Sequence, residues 1–130
     1  MVTDTQQQGS GARGARAAVG RYGEQVAAAH LQQAGLVVLD RNWRCRWGEL
    51  DLVVRDGDCL VGVEVKTRRT AAAGTPLEAI TPAKVARLRR LLGLWLAEHP
   101  VRPRDLRLDA VAVLRPRSGP ALVQHVRGIG

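Results

Sequence analysis

Apolar residues recur along the chain with two different periods, and the changes of period mark the elements. From about residue 18 to residue 34 the chain is alanine-rich, and Tyr22, Val26, Ala27, His30, Leu31 and Ala34 form one stripe at helical spacing, with Gly35 placed to end the helix. Residues 36–42 read as a first strand. Between Gly48 and Lys66 the period becomes two, in valine-rich runs separated by Asp56, Gly57 and Asp58, which suit a tight hairpin turn. Thr81 then signals an N-cap before Pro82, and Val85, Leu88, Leu91, Leu92, Trp95 and Leu96 stripe a second helix running to about Glu98. Pro100 and Pro103 break that helix, after which residues 106–114 and 121–126 read as two more strands, the last at a sheet edge. Residues 1–17 hold almost no large apolar side chains and are expected to form a flexible tail.

The resulting order, α-β-β-β-α-β-β, predicts a single α/β domain over residues 18–130. Its core is a mixed sheet of about five strands flanked by helices. The 130 residues suit one hydrophobic core, built from Leu, Val and Ala because the chain has no Phe.

The central hairpin carries charge inside apolar sequence. Glu49, Asp51, Glu64 and Lys66 lie within the valine-rich runs, and ionised groups buried in a sheet are costly unless paired or bound to a metal. A two-residue loop, either Asp56-Gly57 or Gly57-Asp58, would put all four on one face of the hairpin. With Gly57-Asp58 as the loop, Asp51 faces Glu64 directly. The opposite face would hold Leu50, Leu52, Val54, Val61, Val63 and Val65, so that one face is core and the other chemistry. A three-residue loop or a bulge would break this parity.

Hard carboxylate oxygens from Asp51 and Glu64 suit Mg²⁺, and Lys66 beside them could orient or deprotonate a water, or stabilise charge developing on phosphorus. The pattern is short, and a salt bridge from Lys66 to Glu64 or Glu49 on a solvated face is the simpler alternative. Glu24 lies at the margin of the first helical stripe. Its spacing favours an exposed first-turn carboxylate, although a place at the sheet's site is open to it. Lys84 shares the row of Leu88, Leu91 and Trp95, and could be catalytic, phosphate-binding or a snorkelling first-turn residue.

Net charge changes the picture of the partner. A charge of +8 and a pI near 11.1 favour a polyanion, against the plainer explanation of an arginine-rich composition. All but two of the 20 basic residues are arginine, the exceptions being Lys66 and Lys84. Trp43, Arg44, Arg46 and Trp47 mix rings with guanidinium groups that could stack on bases and pair with phosphates, with Trp43 better suited to the core. Arg68 and Arg69 open a basic loop running through Gly74, and Arg87 flanks Lys84. Cys45 and Cys59 have no zinc-ligand spacing, and disulfide bonding is not expected. No apolar run approaches the ~20 residues that span a bilayer and no basic-then-apolar leader is present, so a cytoplasmic location is expected.

Several motifs stand in order: Gly20 to Glu24 as G-x-x-G-E, the run R-N-W-R-C-R-W-G-E-L-D-L-V from Arg41 to Val53, V-E-V-K-T-R from Val63 to Arg68, Lys84, and L-D-A-V-A-V from Leu108 to Val113. Together they resemble the YraN-type family of small bacterial proteins, itself similar to Holliday-junction-resolving enzymes of the PD-(D/E)xK nuclease superfamily. The resemblance implies a restriction-endonuclease-like fold and a Mg²⁺- or Mn²⁺-dependent endonuclease acting on DNA, including branched or recombination intermediates, as a homodimer. It implies that Asp51 and Glu64 are metal ligands, that Lys66 is the catalytic lysine and that Glu24 completes the site, with Glu49 in the G-E-x-D signature. Two departures stand out. Leu50 takes the place of the superfamily's proline before the aspartate, and Gly62 that of a bulkier aromatic, which would thin the packing beneath the hairpin. A non-catalytic nucleic-acid-binding module on the same scaffold is the alternative.

Overall fold

The computed structural model describes residues 11–69 and 80–130. Two helices enclose a five-stranded sheet whose strands lie side by side in chain order. The elements are α1 (Gly11–Gln33), β1 (Val37–Cys45), β2 (Gly48–Asp56), β3 (Cys59–Arg68), α2 (Pro82–Ala97), β4 (Asp105–Leu114) and β5 (Leu122–Val126). This is the expected α-β-β-β-α-β-β order. β1, β2 and β3 form an antiparallel meander, α2 carries the chain over to β4 parallel to β3, and β5 returns antiparallel at the edge.

Helix α1 starts at Gly11, well before the predicted onset near residue 18. Alanine-rich sequence propagates a helix easily once its C-terminal part is anchored by packing. Residues 1–10 of the expected tail, and residues 70–79 of the expected basic loop, lie outside the described residues. At the other end Gly35 adopts φ 94° while the Leu36 N–H donates to the Leu31 carbonyl at 3.0 Å, a left-handed cap that glycine makes without strain. Helix α2 is capped as predicted, with Thr81 Oγ1 accepting from the Lys84 N–H at 3.2 Å and Pro82 in the first turn.

Both faces of the sheet are core. On one, Ala27, Ala28 and Leu31 of α1 pack over Leu52, Val54, Val61, Val63, Val111 and Val113. On the other, Leu88, Leu91, Leu92 and Trp95 of α2 cover Leu50, Val53, Leu60 and Leu108. The expected division into an apolar face and a chemical face is therefore corrected, because α2 buries most of the face assigned to chemistry. Gly62 lies beneath α2, where an added Cβ would come within 3.2 Å of Leu108 and 3.5 Å of Leu92. The leucines close over the position, so the packing there is not thinned. Strand β1 runs on to Cys45, beyond the expected end at Asn42, because Trp43 and Cys45 also pack under α2.

The hairpin turn is Gly57-Asp58, with Asp56 opposite Cys59 and Leu52 opposite Val63. Beyond Leu52 and Val63 the two central strands part company. β2 stays paired with β1 as far as Gly48, and β3 stays paired with β4 as far as Arg68, but β2 and β3 no longer pair with each other. The sheet forks there. The parity is also interrupted: Leu50 joins the α2 cluster while Leu52, two residues on, joins the α1 cluster. Leu50 therefore leaves the uniform apolar face predicted for it. The kink is matched in β1, where Asn42 has φ 52°, a left-handed conformation that asparagine tolerates better than most residues.

A candidate metal and nucleic-acid site in the sheet fork

Asp51 stands at the branch point. Its Oδ2 accepts the Val65 N–H at 2.8 Å, so a side chain takes the ladder position that the departing β2 backbone leaves open. This locks the carboxyl group of β2 against the strand that carries Glu64 and Lys66. Glu64 is buried, and its Oε2 lies 2.7 Å from Lys84 Nζ and 3.4 Å from Lys66 Nζ. Asp51, Glu64, Lys66 and Lys84, with Glu49 and Arg87, line an open cleft of about 400 Å³. Lys84 is thus the first-turn residue of α2 that reaches the carboxylates, one of the three roles its spacing allowed.

The electrostatics are unbalanced. Burial raises the Asp51 carboxyl to about 7, and the negative charge of Glu64, then Glu24 and Glu49, adds to it, while the Val65 hydrogen bond only partly opposes. Lys66 is pushed below the usual lysine range, first by burial and then by the neighbouring Lys84 ammonium, against the attraction of Glu64. Lys84 moves the other way: burial opposes its charge, but its hydrogen bond to Glu64 prevails. Glu24 is raised by burial, with Asn42 partly offsetting it and Glu49 adding to it. A first-turn glutamate in water would feel none of this, so the exposed alternative for Glu24 does not describe the fold.

Glu24 reaches this neighbourhood because α1 comes unusually close to β3 one residue earlier. At Gly23 an added Cβ would overlap Thr67 Oγ1 and lie 2.9 Å from Thr67 Cβ, so only glycine fits. Glu49 is displaced from its expected face. With Leu50 turned under α2, Glu49 turns outward at the fork, where it meets Arg44 at 3.2 Å while still lining the cleft. Among the described residues, no three His, Cys, Asp or Glu side chains converge closely enough to enclose an ion by themselves. Two carboxylates facing an open, polar cleft nevertheless fit Mg²⁺ or Mn²⁺. Such ions keep several waters, and commonly take one or two protein carboxylates plus phosphate oxygens.

The predicted basic contacts distribute around this cleft. Arg87 lines it directly. Arg44, Arg46 and Trp47 sit at the β1–β2 end, where Trp47 is 54% exposed with the Arg46 guanidinium 4.7 Å from its ring centroid. Trp43 is partly buried in the α2 cluster, as its apolar flank predicts. Arg68 is half-buried and donates to the Thr67 carbonyl, whereas Arg69 belongs to a separate cleft farther along. Asn42 is the site residue that the strand pattern did not single out. Its signal was present, an asparagine inside a β-like run, but its left-handed backbone and its influence on Glu24 emerge only from the fold.

The profile of the uncharacterised protein family UPF0102 matches residues 23–113, from the glycine beside Glu24 to the end of β4. The chain belongs to UPF0102. A UPF0102 protein of Kineococcus radiotolerans is 66% identical over 116 residues, covering 88% of this chain and 95% of its own. A second, from Beutenbergia cavernae, is 59% identical over 89% of this chain and 98% of its own, and one from a Nocardioides species is 55% identical over 93% and 98%. The UPF0102 match spans the whole fork and both carboxylate-bearing strands. Among the described residues no helix is long and apolar enough to cross a membrane.

Proposed function

We propose that this UPF0102 protein is a metal-dependent endonuclease that hydrolyses phosphodiester bonds of DNA, branched or recombination intermediates included. The observation that carries the reading is the fork. It brings buried Glu64 and under-neutralised Asp51 to one open cleft, with Lys66 against Glu64. Asp51 and Glu64 would hold Mg²⁺ or Mn²⁺, which supplies Lewis acidity toward a phosphoryl oxygen and acidifies a bound water. Lys66, with its lowered proton affinity, is suited to take the proton of the attacking water as the new P–O bond forms. The scissile P–O bond breaks as the leaving oxygen gains a proton from solvent. Lys84 shifts from Glu64 to a phosphate oxygen when a cation occupies the cleft. Glu24 and Glu49 at the rim keep the negative potential that attracts that cation, while Arg87 holds the substrate backbone.

Incubation of branched, single-stranded and duplex DNA with the protein and Mn²⁺ tests this. Cleavage should require the metal and fall by at least ~100-fold in Lys66→Ala, the range of a lost general base. Metal-independent cutting, or unimpaired cutting by Lys66→Ala, overturns it.

One observation favours a second reading, a binding module without catalysis. Lys84 already sits 2.7 Å from Glu64 and could neutralise it permanently. That reading expects DNA binding to survive alanine at Asp51, Glu64 and Lys66, with no Mn²⁺ uptake in titration calorimetry.

A further inference from the structure

The antiparallel and parallel pairings bring three chain segments to the same end of the sheet. The start of β2, the end of β3 and the end of β4 all lie there. The metal cleft opens between β2 and β3. On its β4 side lies a second cleft of about 570 Å³, lined by Arg69, Arg115, Pro116 and Arg117. It is held in place by backbone and ring contacts. The Arg115 N–H donates to the Arg68 carbonyl at 2.8 Å, continuing the β3–β4 pairing, and the Arg115 guanidinium lies 4.6 Å from the ring centroid of Tyr22. Tyr22 is two residues before Glu24 on α1, so this arginine is registered to the same helix that approaches the metal cleft.

All three arginines are exposed, and among the described residues none is ion-paired with a carboxylate. The sheet's other arginines behave differently. Arg107 and Arg127 pair with Asp56, and Arg44 pairs with Glu49. Three guanidinium forks converging on one concavity without an acid repel each other, and the fork geometry matches phosphate oxygens. At roughly 3.3 Å per strand residue, Arg69 stands ~10 Å beyond Lys66. That distance is about three steps of a duplex strand at 3.4 Å per charge.

We propose that Arg69, Arg115 and Arg117 form a phosphodiester-binding cleft that grips the backbone of the nucleic acid lying across the metal cleft, a few phosphates from the reacting bond. The proposal rests on the nucleic-acid reading above, without requiring that cleavage occur. It makes the β4–β5 turn the second shoulder of a track whose first shoulder is Arg46 and Trp47 at the β1–β2 turn. The polyanion runs across the strand ends from one turn to the other, and the acidic fork lies between them.

The test is binding of a labelled 20-base-pair duplex in EDTA, by fluorescence anisotropy from 50 to 200 mM NaCl. The variant Arg115→Gln/Arg117→Gln should lose at least ~10-fold in affinity at 100 mM salt, and its log–log salt slope should be shallower by about 1.8, the value for two phosphate contacts. Arg115→Lys/Arg117→Lys should restore most of the slope, which separates lost charge from a disturbed Tyr22 contact. Unchanged affinity and slope in the glutamine variant overturn the proposal, and so does a lysine variant no better than the glutamine one. Titration with inorganic phosphate separates a small-anion site from a strand-binding one. Phosphate binding to the wild type with no change of DNA slope in the glutamine variant also overturns the proposal. Failure of the cleft and failure of the nuclease reading are distinguishable. The first appears as unaltered DNA binding in the glutamine variant, the second as unaltered cleavage in Lys66→Ala.

Discussion

Two clusters of buried carboxylates sit at different ends of the same sheet, and the protein treats them in opposite ways. Asp109 is fully buried on β4, yet it receives Arg107 through both Nε and Nη2 at 2.8 and 3.0 Å, His125 Nε2 at 2.8 Å and the Gly128 N–H at 3.0 Å. Burial pushes its carboxyl up, but those hydrogen bonds outweigh it and leave the group below the usual range. Asp51 is less deeply buried, has one backbone N–H for its charge and three glutamates for company, and is raised to about 7. The first cluster is closed by the chain's own cations. The second is left short of positive charge and open to solvent, the arrangement expected where an exogenous cation completes the balance.

Breaking the closed cluster should have the largest effect. Arg107→Ala strands Asp109 as a buried, poorly paired charge and should lower stability by about 3–5 kcal/mol, read in urea unfolding. The same loss from Arg107→Ala and from an exposed-arginine variant such as Arg55→Ala would show that Asp109 is not special.

Next in size is Gly23→Ala. The overlap with Thr67 forces α1 away from β3, costing about 1–3 kcal/mol and carrying Glu24 out of the fork. Mn²⁺ affinity should fall in the folded variant, and Thr67→Ala in the same chain should recover part of both losses. Recovery of stability without recovery of Mn²⁺ affinity would detach Glu24 from the site.

The open cluster makes a prediction of the opposite sign. Asp51→Asn keeps an acceptor for the Val65 N–H while removing a charge the fold leaves uncompensated. Without metal at pH 8 it should stabilise the protein by roughly 1–3 kcal/mol, the usual cost of an imperfectly satisfied buried group, while Mn²⁺ no longer raises the melting temperature. Destabilisation by Asp51→Asn would mean that Lys66 and Lys84 already balance the cleft.

The smallest effect is a slope with pH. Asp51 holds its proton in the folded state up to about pH 7, whereas the unfolded chain gives it up near pH ~3.9. Folding therefore takes up a proton, and metal-free stability should decline as pH rises through that window. Asp109 has the reverse sign. Its folded value lies below the unfolded one, so its contribution is present above about pH 4 and is lost as acid protonates it. Thermal melts of the wild type and Asp51→Asn from pH 4 to 8 separate the two, because the variant should lose the decline.

Much of this contrast was legible in the order of residues. Alternation in β2 and β3, the Gly57-Asp58 turn, the Thr81-Pro82 cap and the apolar stripes are local, and they yielded the element order and the register that places Asp51 toward Glu64. The shared face of Arg107 and Asp109 could likewise be read from a period of two. Other features depend on contacts between segments far apart in the chain. The fork arises because β1 holds β2 while β4 holds β3. The reversal at Leu50 follows from α2 covering a face that alternation alone left to solvent. Glu24 illustrates the limit most clearly. Helical spacing put it at a margin and could not tell water from a site, because the deciding fact is the contact of Gly23 with Thr67 across the fold. Periodicity determined which residues share a strand or a helix face. Only tertiary packing decided which carboxylates would meet a cation of the chain and which would be left to wait for one.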